Sequence, residues 1–260
     1  VAGQLQFTHV AGYHAGVVIR SILFGLPAKT KQGHIPWATY TDPELAQVGL
    51  TEAEAKTLLA GLGLPVPEHQ VCASPEEAAQ AVARFGPCAL MILGDFSHKT
   101  ERGGVALNVA SEEAALSTAE RLLRIAPKVL VEPMAAKPVV EMIVGVAQDP
   151  VLGLHLVLGA GGVLTEILSD SAILLFPLTE VQIREAVHSL RIWPVLEGYR
   201  GAPGGDIEAL VEAVLNLGHF VEAHADSLAE LDINPLFVHA SNRDQGQGVT
   251  AVDALIRMRR

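Results

Sequence analysis

From Thr51 onward, helix starts marked by capping residues alternate with short apolar runs, and this alternation restricts the chain to an α/β fold. Thr51 with Glu54 forms a capping box, and the helix it opens runs through Leu58 and Leu59 to a stop at Gly61, Gly63 and Pro65. Ser74 caps a second helix, with Pro75 at its first position and Glu77 three residues on, and Gly86 and Pro87 end it. The apolar run Cys88–Leu93 then reads as a buried strand. Ser111 opens a helix through Ile125, and strands follow near Val129–Val131, Val139–Ala147 and Leu154–Leu158. Thr179 with Gln182 caps a helix to Leu190, and Asp206 caps one to about Ala223. Leu231–Val238 and Val249–Val252 form the final strand pair. No G-x-G-x-x-G opens a helix after the first strand, so the pattern is not a simple dinucleotide-binding one.

Charge narrows the function. A net charge of −11 argues against nucleic acid, because neutralising phosphates needs clustered Lys and Arg. Residues 1–47 carry Arg20, Lys29 and Lys31 against Asp42 and Glu44, so nearly all the excess acidity lies beyond them. Cys72 and Cys88 share no metal or redox spacing and read as two reduced thiols of a cytoplasmic protein. Val139–Val146 is too short to span a bilayer, and Leu154–Leu178 is broken by Gly, Glu and Asp, so no membrane partner is expected. The start at Val1, without Met or a signal peptide, leads to the expectation of a fragment.

Three stretches carry chemistry. Ser97–Gly104 (SHKTERGG) offers adjacent glycines whose N–H groups can approach an anion, with Lys99 and Arg102 adding positive charge. The same run also suits a polar hairpin turn. Gly159–Glu166 (GAGGVLTE) fits either a tight bend between strands or a loop over anionic ligands with Glu166 facing them. In Glu230–Leu236, Asp232 and Asn234 are two apart, so a strand points both to one face. A hairpin through Ala240–Gly248 would bring Asp253 beside them. Oxygen ligands of this kind suit Mg²⁺, and a solvated edge-strand face is the alternative.

The first 55 residues tell a different story. Phe7–Leu26 suits a helix stopped by Gly25 and Pro27, and Ile35–Thr41 suits a strand ending in an Asp42-Pro43 turn. This helix followed by TYTDPELAQVGLTEAEA resembles the flavin-dependent disulfide reductases, at the point where their dimerisation domain begins. The paired redox cysteines, the Gly-rich fingerprint and a C-terminal His-Pro segment are missing. Flavin contact through His9, Tyr13 or His14 is therefore not expected, and an orphaned helix and strand is.

The remaining 210 or so residues carry GLPVPE, HKTERGGVALNV, VLVEPM, EMIVGVAQDPVLG, GAGGVLTEIL, GYRG, AELDINPL and AVDALI in one order. That series resembles the ATP-grasp module of ADP-forming acyl-CoA synthetases, of the acetate–CoA ligase type. The resemblance implies two α/β subdomains gripping Mg-ATP or ADP, and phosphoryl transfer through a phosphohistidine. By the same resemblance His98 is the catalytic acceptor, and Lys99, Gly103, Gly104, Glu132, Glu141, Glu166 and Arg200 bind nucleotide. Asp232, Asn234 and Asp253 hold the metal, and a CoA-binding subunit or domain is the partner.

One position departs from that pattern. The family's first core strand carries a lysine for the phosphates where this chain has Met91 in ALMILGDFSHK. The expected organisation is a reductase-derived remnant over residues 1–49 and an ATP-grasp domain over 50–260, joined at a seam near Leu50–Lys56 that fits both families. The seam is expected to be an artefactual or degenerate join, with an inactive chimera or a flavin-reductase fragment as the alternatives to a working ligase module.

Overall fold

The capping residues do what their chemistry dictates. In the computed structural model, which describes residues 50–94, 99, 102–149, 151–162, 169–241 and 248–258, Thr51 caps α1 (Glu52–Gly61) with a reciprocal box to Glu54. Ser74, Ser111 and Thr179 likewise accept from the third helical N–H of α2 (Pro75–Phe85), α3 (Glu112–Leu123) and α4 (Glu180–Ser189). A short α5 (Trp193–Glu197) leads to α6 (Ile207–Ala223), capped by Asp206. The reductase-like helix and strand, with His9, Tyr13 and His14, lie outside the described residues.

Two antiparallel sheets organise these helices. The smaller contains β1 (Gln70–Cys72), β2 (Cys88–Leu93), β3 (Val105–Val109) and β4 (Lys128–Pro133) in the order β1-β4-β2-β3. Every residue of β2 is buried, because both faces of the sheet are covered. One face carries Cys88, Leu90 and Ile92 against α2 and α3. The other carries Ala89, Met91, Leu93 and Leu130, packed with Ala53 of α1.

The larger sheet runs β10-β8-β5-β6-β7, with β9 also pairing β8. Its strands are β5 (Val140–Asp149), β6 (Gly153–Ala160), β7 (Ser171–Leu175), β8 (Leu228–Val238), β9 (Val249–Ala251) and β10 (Ala254–Met258). Burial alternates along β5, so one face is core and the other is open to ligand or solvent. The core face packs on α4 and α6, and Ala55 and Leu59 of α1 join it. Helix α1 thus touches both sheets, through Ala53 on one side and Ala55 and Leu59 on the other.

β10 was not expected from the sequence, which places the last strand at Val249–Val252. The chain instead pairs with β8 twice: Val249 lies opposite Val238, and after the Val252–Asp253 link Ala254 lies opposite Ile233. No helix among the described residues is long and apolar enough to cross a membrane.

Candidate functional site

Helix α1 carries two charges where its apolar stripe should be. Glu52, Ala55, Lys56 and Leu59 are its buried residues, a spacing of three and four that defines one face. Lys56 is wholly buried, and its Nζ donates to Glu132 Oε1 on β4. The same ammonium lies 2.8 Å from Glu52 Oε1, an approach that is ionic and off the hydrogen-bond direction. Glu52 Oε2 accepts from Lys99 Nζ, and Lys99 lies 3.5 Å from Asp253 Oδ1. Four separate segments meet in this chain of charges: α1, β4, the turn after β2, and the β9–β10 link.

Its electrostatics follow from counting. Glu52, Glu132 and Asp253 face Lys56 and Lys99, so carboxylates outnumber ammonium groups by one. Burial pushes Glu132 up to about 7; Lys56 pulls it back only in part, and Glu52 and Asp253 add to the rise. Burial opposes ionisation of Glu52 too, but Lys56 and Lys99 outweigh it and hold the carboxyl below its usual range. Burial disfavours the charge on Lys99, and Asp253 with Glu52 more than reverses that, raising its pKa. Asp253 is raised by its low-polarity surroundings and then by Glu52, against the pull of Lys99, Lys56 and the Ala254 N–H. Its side chain keeps 48% of its surface open, so water tempers that rise.

The expected metal ligands lie beside this network. Asn234 N–H donates to the Asp253 carbonyl, and Val252 N–H to that of Pro235, which fixes the β9–β10 link against the middle of β8. Asn234 Oδ1 accepts from Gly162 N–H at 3.4 Å. Asp232 sits over Gly145, where even a Cβ would come within 3.6 Å of its Oδ1. Burial, reinforced by Glu230 and Asp253, raises Asp232 to about 6. No group of three His, Cys, Asp or Glu suited to a metal occurs among the described residues. Two mutually repelling carboxylates and an amide oxygen still fit Mg²⁺, a hard ion that takes few protein ligands and completes its shell with phosphate or water.

The other candidates divide. Glu141 packs against Gly162, whose missing side chain makes room for that carboxylate, and a Cβ on Gly161 would stand 2.5 Å from the Met142 carbonyl oxygen. Gly161 and Gly162 are therefore required by their close approach to β5. Gly104 is similar: its N–H donates to the Lys99 carbonyl, and a Cβ there would meet Ile92 at 2.5 Å. Gly103 is exposed at φ +65, its carbonyl accepting from Arg121. Arg200 stands on an exposed turn, its guanidinium 5.1 Å from the Tyr199 ring, with no described contact to the charge network. Met91 is 8% exposed in the apolar cluster against α1. His98 and Glu166 lie outside the described residues.

Sequence reasoning missed Glu52 and Lys56. The available signal was a Glu–Lys pair four apart, in line with Ala55 and Leu59 on an otherwise apolar face.

The family model of the ATP-grasp domain matches residues 45–258. The beta subunit of the ADP-forming acetate–CoA ligase II of Pyrococcus furiosus is 34% identical over 221 residues, covering 81% of this chain and 92% of that subunit. The ADP-forming acetate–CoA ligase of Methanocaldococcus jannaschii is 34% identical over 199 residues, 72% of this chain but only 28% of that protein. A dinucleotide-forming acetyl-coenzyme A synthetase 1 from Ca. Korarchaeum cryptofilum, solved with coenzyme A and Mg-AMPPCP, superimposes with a TM-score of 0.69 at 30% identity, covering 82% of this chain and 94% of that one. A mercuric reductase of Bacillus cereus is 43% identical over 51 residues, 20% of this chain and 8% of that enzyme, in keeping with the reductase resemblance. Two sheets, a converging charged site and these likenesses agree: the chain belongs to the ATP-grasp family, in the branch that forms the beta subunit or ATP-grasp part of ADP-forming acetate–CoA ligases.

Proposed function

We propose that this chain binds Mg-ATP beside the open face of its larger sheet and passes a phosphoryl group through His98. The observation that carries the reading is the convergence of Glu132, Lys99 and Asp253, from three segments far apart in sequence, on one charged network. Asp232, Asn234 and Asp253 would hold Mg²⁺, which when bound neutralises phosphate charge and orients the transferring group. Lys99 supplies a cation already placed beside Asp253. A ring nitrogen of His98 would form the new P–N bond as the bond between the γ-phosphorus and the ADP oxygen breaks, so ADP leaves and the phosphohistidine remains. Glu141 beside Gly162 suits a contact to the sugar hydroxyls. Acyl transfer to CoA would then need a CoA-binding partner, subunit or domain, and the acyl group would be recognised there.

We also take residues 50–260 as the catalytic unit and residues 1–49 as an appended reductase-derived segment. Support comes from Leu50 N–H, which donates to the Ile256 carbonyl, and from the burial of Glu52 and Lys56 immediately after it. The string shared by both families thus supplies residues integral to the larger unit, whatever the origin of the seam.

Met91 favours a weakened variant of this activity. A thioether offers no cation to phosphate, and losing one charge-assisted contact costs about 1.5–3 kcal/mol, or roughly tenfold to a hundredfold in affinity. The test is incubation with γ-labelled Mg-ATP and a relative's CoA-binding subunit, comparing wild type with His98→Ala. Acid-labile label that depends on His98 is expected; label that persists in His98→Ala removes that residue from the mechanism. A yellow protein with flavin absorbance would favour the reductase alternative.

A further inference from the structure

We infer that Glu52 is a positioning residue for the phosphoryl-transfer loop, a role that deepens the nucleotide reading and rests on it. Among the described residues Glu52 is the carboxylate that touches both ammonium groups of the network, with Oε1 facing the buried Lys56 and Oε2 accepting from the half-buried Lys99. Its side chain is 3% exposed, so the contact is made where water competes little and a lost partner is not replaced.

The anchor is rigid at one end and reaches a turn at the other. Glu52 is the first residue of α1, next to a capping box, where the helix dipole also favours a carboxylate. Leu50 N–H donates to Ile256 O on the larger sheet, Ala53 packs on the smaller one, and Ala55 and Leu59 enter the larger core. Lys99, by contrast, lies in the connection between β2 and β3 and directly follows His98. Its backbone carbonyl accepts from Gly104 N–H at 2.8 Å, and the Gly104 carbonyl accepts from Ile92 N–H at 2.9 Å. Glu52 therefore ties the turn to a fixed helix, and Lys99 carries that constraint on to Asp253 and the proposed metal ligands.

The charge balance gives the role a signature that simple structural loss lacks. Replacing Glu52 by Gln removes one negative charge from a network with a formal excess of one, so these five groups become less negative and no worse for an anionic nucleotide. Binding and transfer should then separate: Mg-ATP affinity holds or improves while phosphoryl transfer slows.

Hydrogen exchange of the 260-residue chain tests the constraint without nucleotide. In Glu52→Gln, the Gly104 amide should exchange at least ~10-fold faster than in wild type, as expected when a charge-assisted anchor is lost, while β6 amides such as Leu156 stay unchanged. Glu52→Asp should recover part of the protection. Unchanged exchange at Gly104 overturns the inference. If Glu52→Gln does not fold, Lys99→Met cuts the same link from the turn and must give the same acceleration, or the inference falls. Labelling with γ-labelled Mg-ATP separates the two readings. Faster exchange in a chain whose wild type neither binds nor takes label leaves only the constraint of Glu52 on the Lys99 turn and removes the nucleotide reading, and with it the catalytic sense of that constraint. Wild-type labelling that Glu52→Gln matches in rate, with unchanged exchange, removes the positioning role and leaves the nucleotide reading.

Discussion

Lys99 Nζ and Asp253 Oδ1 stand 3.5 Å apart, joining the turn after β2 to the link between β9 and β10. The two residues are 154 positions apart, and their meeting brings the small sheet's loop to the acidic edge of the large sheet. On the proposed nucleotide reading, phosphate would take over the ammonium while Mg²⁺ takes over the carboxylate. Lys99→Met should therefore weaken Mg-ATP binding by roughly tenfold or more, the loss of one charge-assisted contact. Isothermal titration reads it; unchanged affinity would mean that Lys99 only braces the fold.

Met91→Lys should tighten Mg-ATP binding by roughly tenfold to a hundredfold, because it restores a cation on the sheet face shared with Leu130 and Glu132. Stability should fall at the same time by about 1–3 kcal/mol, because the ammonium enters an apolar cluster. Titration and urea denaturation on the same preparation check both halves. Lower stability without tighter binding would put the phosphates elsewhere.

Lys56→Met should destabilise the protein by about 3–5 kcal/mol, since it strands Glu132 and part of Glu52 without their cation. Adding Glu132→Gln should restore a good part of that loss, because the stranded charge goes with it. Denaturation of the single and double variants measures the coupling, and strictly additive effects would contradict a mutual pairing.

pH dependence carries the mark of Glu132. Its carboxyl is raised from 4.5 to about 7 in the fold, so the folded state holds a proton that the unfolded state has released between those values. The stability this confers is fully present below about pH 4.5 and is lost as pH rises through about 7, on the order of 3 kcal/mol from that one group. Glu132→Gln should remove this slope, gaining on wild type as pH climbs from 4.5 to 8. A difference between the two proteins that does not change with pH would show that Glu132 is ionised throughout.

What could be read in the sequence was local. Thr51, Ser74, Ser111, Thr179 and Asp206 each announced a helix start, because a cap is a contact between residues three apart. The meeting of Asn234 with Asp253 was legible as a hairpin, although Ala254–Met258 was not, since nothing nearby shows that β8 is long enough to pair with two strands in succession. The Lys56–Glu132 pair was hidden for the same reason: its partners are 76 positions apart, and a lysine on a helix usually reads as solvent-facing. Gly104 was read as possible anion-approaching backbone and Gly161 as part of a tight bend or a loop over anionic ligands; that their absent side chains also leave room for Ile92 and for the Met142 carbonyl is a long-range fact the sequence does not show.

Those close approaches give a contrast between glycines. Gly161→Ala places a methyl 2.5 Å from a backbone oxygen that cannot swing away, so a loss of about 1–3 kcal/mol is expected. Gly61→Ala, at the end of α1 with nothing within 4 Å, should be neutral or stabilise by up to about 1 kcal/mol. Thermal denaturation of the two variants decides it, and similar effects would contradict the packing at β5.

The most direct test of nucleotide binding is the melting temperature of the purified 260-residue chain titrated with Mg-ATP, beside Asp232→Asn and Asp253→Asn. Binding to the native state stabilises it with the logarithm of ligand concentration over the dissociation constant, by about 2.7 kcal/mol at a hundred times that constant, and the melting point rises accordingly. A rise that grows with Mg-ATP concentration and needs Mg²⁺ in the wild type, and that shrinks sharply in both variants, is the expected result. No rise at millimolar Mg-ATP, or an equal rise in all three proteins, would contradict a nucleotide site built on Asp232, Asn234 and Asp253.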